Sequence, residues 1–481
     1  MNKDLTVGKP SQVLWQFCLP MFGSIIFQQL YNIADSLVAG KFIGENALAA
    51  VGNSYEITLI FIAFAFGCNI GCSVIVSRYF GAKEYDDMKT SVYTALIGSA
   101  VLCAVLMVFG LLGCRSLLEL INTPEEILAD SALYLDIYVL GLPFMFFYNI
   151  ATGIFSALGD SKTPFYFLAV SSLSNIGVDI LFVAGFQMGV AGVAWATLIA
   201  QGMCAVASLI VMYRRMKRLP CEAGKEGEKI PLFHKIAVKR IAQIGLPSML
   251  QQSLVSLSMM MMQGLVNSYG KVLVAGYTAA TKIDTLAMLP NMNFSNAMSS
   301  YTAQNIGAGK VDRCVKGTKD GLKIGLSVSV VLVALILIFG QYLMQMFTST
   351  PEVISTGMRM LRILAVGYVA MGVTQILSGV MRGAGDTMTP MWISIITTVI
   401  IRVPIAYGLE FLTRPEGGAM GSGSPDPLFV SLLISWLMGA LLTVIAYRMG
   451  RWKKKSLVHV SATGEQDVAL EPDNADQLEK E

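Results

Sequence analysis

Two aspartates sit inside long apolar runs, and they are the residues of this chain with the most chemistry to offer. Asp35 closes a polar stripe of Ser24, Gln28, Tyr31 and Asn32, a spacing that keeps all five on one side of an α-helix. Asp179 closes a second stripe, Ser171 and Asn175 at steps of four, and Thr197 lies midway along the next apolar run. An ionisable side chain at the centre of a bilayer costs at least ~2.5–3.5 kcal/mol, so one that is kept there is paired or functional. Two carboxylates brought together in a low-dielectric interior raise each other's pKa and share a proton. With Asn and Thr oxygens beside them they also suit a hard cation such as Na⁺. The chemistry expected of Asp35, Asn175, Asp179 and Thr197 is reversible cation binding, with Asp35 and Asp179 as metal ligands if the ion is Na⁺.

The elements that must position these groups follow from composition. Of 481 residues, 54% are hydrophobic and 14% charged, whereas soluble domains carry about 25% charge. A soluble protein of this length lacks the charge to coat its surface, and the mean hydropathy of +0.61 points the same way. Spanning helices need ~20 mostly apolar residues. Apolar runs predict about twelve of them: 13–39, 46–78, 90–113, 124–156, 164–185, 189–214, 237–268, 274–305, 314–346, 351–381, 389–412 and 427–450. Pro124 and Pro351 each follow Thr and precede Glu, the order of N-cap, first helical residue and dipole-facing acid. The fold class is an all-α polytopic membrane protein.

Lys and Arg fix the expected orientation. Alternate loops hold Arg78, Lys83 and Lys89, then Lys162, the whole 214–240 linker, Lys310, Arg313 and Lys316, while Lys3, Lys9 and Lys453 to Lys455 flank the ends. The opposite loops hold little beyond Lys41, Arg115, Lys271 and Arg414. The positive-inside rule then puts both termini in the cytoplasm of a multi-pass plasma-membrane protein. Residues 1–12 form an uncleaved cytoplasmic start, 13–214 a first lobe of six helices, 215–236 a linker, 237–450 a second lobe and 451–481 an acidic, disordered tail. The Gly/Ser/Pro-rich outer loop at 413–427 is expected to be mobile. The eight cysteines show no CxxC and lie mostly in apolar runs, which favours packing over disulfides or zinc.

The chain also contains itself twice. LGDSKTP at 158–164 returns as AGDTMTP at 384–390, and FGAK at 80–83 as IGAGK at 306–310. Asp160 precedes Asp386 by the same interval that separates Gly81 from Gly307, and Pro20 and Pro247 are only one position further apart. An even number of helices per copy places both copies in one membrane orientation. They are then related by a pseudo-twofold axis along the membrane normal with a cleft between them, a geometry suited to alternating access.

In LPMFGSIIFQQLYNIADSLVAG, GENALAAVG, SRYFGAK and ALGDSKTP, in this order and spacing, the chain resembles the multidrug and toxic compound extrusion (MATE) family of secondary transporters. The likeness runs over about residues 10–450. It implies a V-shaped twelve-helix fold exporting organic cations or other amphipathic compounds against a proton or sodium gradient. Prokaryotic members resembling this chain place a cation site in the N-terminal lobe, with an Asp on the first helix, Asn-x₃-Asp on the fifth and Thr on the sixth. Those match Asp35, Asn175 with Asp179, and Thr197. The family's proposed bending of the first helix would be centred on Pro20, a hinge by the loss of a backbone hydrogen bond.

Position 261, equivalent to Asp35, holds Met inside the run Met259 to Met262, so a carboxylate site in the second lobe is not expected. Met259, Met288 and Met292 offer a flexible apolar surface, and Gln28, Tyr31, Asn32, Gln252 and Gln263 are candidates for the cavity. Glu56 and Lys282 stand at equivalent places, separated by the repeat interval of Asp160 and Asp386, and would face each other across the cleft as a gate or substrate contact. Asp284 lies near in sequence, and Arg402, deep in the eleventh span, must be paired or cavity-facing. The leading expectation is an H⁺- or Na⁺-coupled antiporter of small organic compounds, monomeric, of bacterial origin, in contact with membrane lipid and not nucleic acid. It needs no cofactor beyond the coupling ion and is not an enzyme, because both histidines, His234 and His459, fall in segments outside the spans. The alternative is a flippase for lipid-linked saccharides, which should show several Arg in the cleft.

Overall fold

The computed structural model describes residues 4–38, 42–120, 123–220, 230–415 and 417–456, and the regular structure among them is all helical. In chain order the helices are α1 (Pro10–Val38), α2 (Glu45–Ala82), α3 (Tyr85–Leu120), α4 (Glu125–Leu140), α5 (Leu142–Ala157), α6 (Lys162–Ile180), α7 (Gly189–Arg218), α8 (Lys235–Ser268), α9 (Lys271–Gly307), α10 (Val311–Gln345), α11 (Pro351–Gly383), α12 (Met388–Ile395), α13 (Arg402–Thr413), α14 (Asp426–Arg448) and α15 (Arg451–Ser456). A π-helical stretch, Leu181–Gly185, extends α6, and another, Ile396–Ile401, joins α12 to α13.

Among the described residues, ten spans are long and apolar enough to cross a membrane, and α4 with α5 makes an eleventh. The 34 residues of α8 have the length of a twelfth, but Gln251, Gln252, Ser253, Ser256, Ser258 and Gln263 dilute its apolar character. The span expected as one helix over 124–156 is bent by 49° between α4 and α5. Gly141 occupies the break and a proline stands in the first turn of α5, removing the amide that would continue the ladder. At the helix starts, Pro351 is the first residue of α11 as expected, yet Thr350 makes no side-chain cap. Pro124 stands one place before α4 instead of inside it.

The two copies meet at the end that carries the basic loops. One buried cluster gathers Tyr79, Val92, Ile154 and Met212 of the first copy with Ile244 and Ala303 of the second. Another sets Leu5, Leu14 and Phe17 against Phe294, Met298, Tyr301 and Val380. At the far end the described clusters stay within one copy, as with Met262, Tyr277, Leu361, Tyr368 and Trp436, or Phe61, Leu118, Leu135 and Phe146. Close backbone approach makes the joint possible. A Cβ at Gly81 would meet the Gln304 backbone, and one at its counterpart Gly307 would meet that of Arg78. Farther along α2, Gly67 and Gly71 lie on α8 against Gly245 and Ile241, while Gly379 and Gly383 lie on α9 against Ser295 and Ser299.

Polar groups stitch the same end. The Leu5 amide donates to Gln304 Oε1 at 2.9 Å, and Gln304 Nε2 donates to the Ala157 carbonyl at 2.6 Å. Arg313 Nη1 donates to the Gly8 carbonyl at 2.6 Å, and Arg78 Nη2 to that of Ala384 at 2.9 Å. The segment before α1 is thereby strapped onto the corner between α9 and α10. In the turn before α6, Asp160 accepts from the Lys162 and Thr163 amides and the Thr163 hydroxyl, and pairs with Arg215. Burial pulls its pKa up, but the Thr163 and Arg215 bonds outweigh that and hold the carboxyl below the ordinary aspartate value.

Two segments outside the spans make definite contacts. The 413–427 loop is pinned: Glu410 pairs with Arg414 and accepts from the Gly421 amide at 2.9 Å, and Tyr269 donates to the Ser424 carbonyl at 2.9 Å. The tail does not leave the fold at 451, because α15 buries Trp452 in a stack with Tyr447 at 5.3 Å; residues 457–481 lie outside the described ones.

Candidate functional site

The antiparallel pair α6 and α7 has a register that can be read from two bonds. Cys204 lies 3.5 Å from the Phe167 carbonyl, and Ser171 Oγ donates to the Ala200 carbonyl at 3.2 Å. Moving four residues up α6 and down α7 brings Asn175 level with Ala196 and Thr197, and the next turn brings Asp179 level with Gly192 and Val193. Small residues at 192, 194 and 196 let the two helices approach closely. Asn175, Asp179 and Thr197 are 1%, 0% and 5% exposed. All three are buried along the α6–α7 pair, within about one helical turn of one another by this register.

The first helix runs parallel to α6, and Phe165 fixes its level by packing on Gly23 and by an edge contact with Phe27 at 5.7 Å. Both helices advance by the same rise, about 1.5 Å per residue, so backbone position 35 comes level with Gly177, between Asn175 and Asp179. The side chains of Asp35, Tyr31, Asn32 and Glu56 lie outside the described residues. Gln28 is exposed on α1, and Pro20 lies inside an α1 that stays helical through it, its carbonyl accepting from Ser24 Oγ at 3.2 Å.

The second copy spends the same depth differently. Arg402 opens α13 directly after the π-helical stretch and is 2% exposed. Its Nη1 lies 3.9 Å from Met259 Sδ, and its Nε has no hydrogen-bond partner. Asp284 of α9 and Tyr277 are its electrostatic neighbours, and Tyr368 of α11 adjoins Asp284. A π-turn frees a carbonyl from its usual donor, and here Ser258 of α8 donates to the Thr398 carbonyl at 2.6 Å. A carboxylate therefore does enter the second copy, on α9 instead of α8, and Arg402 acquires neighbours that sequence could not name. Residues 284, 368 and 402 share no local spacing, so only the packing of α9, α11 and α13 reveals them.

The remaining cavity candidates divide by exposure. Lys282 is exposed, and Met259, Met260 and Met261 are 39%, 56% and 41% exposed while Met262 is buried. Met288, Met292 and Gln252 are half-buried, and Gln263 is turned along its own helix, donating to Asn267 Oδ1 at 2.9 Å.

A doubled helical bundle with ionisable groups held inside each half defines a polytopic membrane transporter. The MatE family model matches twice, over residues 20–181 and 247–408, the two copies already visible in the repeat. The chain belongs to the MatE family. Among its relatives is the probable multidrug resistance protein YoeA of Bacillus subtilis, 30% identical over 94% of this chain and 97% of that one. A MOP superfamily transporter from Pyrococcus furiosus, described as having a binding pocket of reverse polarity, superposes with a TM-score of 0.85 at 23% identity, over 94% of this chain and 98% of its own. A multidrug resistance MATE family transporter solved in an outward-facing conformation gives the same TM-score, identity and coverage. The fold is the twelve-span, two-lobe fold of that family, here an N-lobe built from the first copy and a C-lobe from the second.

Proposed function

We propose that the protein is a secondary active exporter that moves amphipathic or cationic organic compounds out of the cell in exchange for H⁺ or Na⁺. It works as a monomer in the plasma membrane with both termini in the cytoplasm. The observation that carries this reading is the buried face of Asn175, Asp179 and Thr197, level with position 35 of α1. A carboxylate in an apolar lobe binds a cation when the lobe is accessible to the side of high ion concentration and releases it on the other. Asp35 and Asp179 are the ion-binding carboxylates, Asn175 and Thr197 supply neutral oxygens, and Pro20 weakens α1 where it must respond. If the basic-loop end is cytoplasmic, the Gly81–Gly307 crossing, Gln304 and the strapped N-terminal segment close that side. The described state is then outward-facing, poised to release drug and take up the ion.

The test is efflux of ethidium from proteoliposomes under separately imposed H⁺ and Na⁺ gradients, with Asp35→Asn and Asp179→Asn beside the parent. The expected result is gradient-driven efflux in the parent and its loss in both variants. Undiminished efflux in both would falsify the coupling assignment. A second reading, flipping of a lipid-linked saccharide, draws on buried arginines, Arg382 and Arg402. It requires movement of a fluorescent lipid-linked sugar between leaflets in the same vesicles.

A further inference from the structure

We propose that Arg402 is the C-lobe's anchor for a negatively charged group on the substrate, so that the transported compounds include zwitterionic amphipaths bearing a carboxylate or phosphate. This rests on the exporter reading above and narrows its substrate class.

Arg402 is a guanidinium 2% exposed whose Nε has no hydrogen-bond partner and whose Nη1 meets only a thioether at 3.9 Å among the bonds described for it. A buried charge kept without hydrogen bonds is costly, and guanidinium is never discharged by losing its proton. Asp284 is near enough to attract it but makes no ion-pair contact, and Asp284 faces the Tyr368 hydroxyl instead. A donor fork with an unused N–H and a carboxylate–phenol pair therefore converge from three helices. A ligand presenting an anionic oxygen to Arg402 and a cationic or N–H group to Asp284 would satisfy both at once. The planar fork of Arg matches carboxylate and phosphate bidentately.

The backbone supports the same assignment. The π-helical stretch Ile396–Ile401 ends at Arg402, and such turns concentrate at functional sites because they re-aim the residue that follows. Ser258 stabilises it from α8 at the Thr398 carbonyl. Met259, one residue along, is 39% exposed and touches the guanidinium. An unbranched side chain with three rotatable bonds swings aside at little cost. The methionine thus acts as a movable cover over the charge. The matched halves begin at positions 20 and 247, and that offset or the one-residue shorter repeat interval sets Arg402 at the place of Asn175 or Ile176. One lobe puts neutral side chains where the other puts a cation.

The experiment compares tetramethylrhodamine, which carries a free carboxylate, with its methyl ester, which lacks the negative charge. Binding to the purified full chain is followed by fluorescence anisotropy. Arg402→Gln should weaken binding of the acid about tenfold, the scale of a lost charge-assisted hydrogen bond, while the ester changes by less than about twofold. Arg402→Lys should recover part of the acid's affinity. Asp284→Asn, which removes the contact to the cationic group that both dyes carry, should weaken acid and ester by the same factor, so that selective loss of the acid stays particular to Arg402→Gln. The proposal is overturned if Arg402→Gln weakens both dyes equally, if it weakens neither, or if the parent binds the ester but not the acid. If the parent binds neither dye and exports no ethidium, the exporter reading falls first.

Discussion

The N-lobe and the C-lobe descend from one sequence copied twice, yet they bury opposite inventories at corresponding depths. In the N-lobe, α6 and α7 enclose Asn175, Asp179 and Thr197, and no Lys or Arg occurs between Thr163 and Tyr213. In the C-lobe the equivalents of Asp35 and Asp179 are apolar, Met261 or Met262 and Ile405 or Ala406, according to the shift used. The polar cluster is instead Asp284, Tyr368 and Arg402, whose N-lobe counterparts are Thr58, Leu142 and Asn175 or Ile176. A lobe that holds carboxylate and neutral oxygens without a fixed cation can take up a mobile one. A lobe that already carries its own guanidinium repels a coupling ion and is better fitted to select a ligand. Duplication supplied the scaffold twice, and a few buried positions then diverged.

The largest effect expected from disturbing this division is at Asp179. Asp179→Asn should abolish gradient-driven efflux while leaving substrate binding within about threefold, whereas Arg402→Gln should leave coupled efflux of the methyl-ester dye nearly intact. Parallel transport and binding assays on both variants check this, and equal loss of coupling in both would erase the distinction between the lobes. Next in size is the joint where the lobes meet. Gly307→Val places two methyl groups beyond a Cβ that already meets the Arg78 backbone. Overpacking of that kind costs about 1–3 kcal/mol, and relieving it must open the basic-loop end. Thermal unfolding in detergent and spectroscopic distances between labels on α2 and α9 should report a less stable, wider joint.

Removing Gln304, which ties the N-terminal segment and α5 to α9, should act on the same joint more mildly. Gln304→Ala should lose roughly 1–3 kcal/mol, the cost of buried groups left unpaired, and labels should show the same direction of opening. The smallest effect concerns the turn before α6. Asp160→Asn should cost about 1–2 kcal/mol by removing a cap and an ion pair. Because the Asp160 pKa is lowered by folding, its contribution is present above the ordinary aspartate value and is lost as the pH falls through the lowered one. Acid unfolding curves of parent and Asp160→Asn should therefore converge at low pH and separate toward neutrality.

The sequence revealed the fold because hydrophobic length and loop charge are local signals, and the repeat identified equivalent positions before any packing was known. The Asn175–Asp179 spacing was legible for the same reason, being a single helix's periodicity, while the α6–α7 register that sets the level of Thr197 against it was not. The bend at Gly141 was missed because the flanking apolar residues run on unbroken; Gly and Pro there have no hydropathy signature. The Asp284–Arg402 neighbourhood was illegible as a site because its members come from three helices and a π-turn. Periodicity rules assume a regular helix and cannot register the extra residue. The 413–427 loop has a flexible composition, and its contacts run through Glu410, a residue of the neighbouring helix.

The division of labour is tested most directly by ion release on ligand binding. Ethidium is added to the purified protein in weakly buffered detergent, and released protons are followed with a pH dye and Na⁺ with an ion-selective electrode. The parent and Asp284→Asn should release one of the two ions on binding, and Asp179→Asn should bind ethidium without releasing either. Release that persists in Asp179→Asn and vanishes in Asp284→Asn would place the coupling site in the C-lobe and contradict the account.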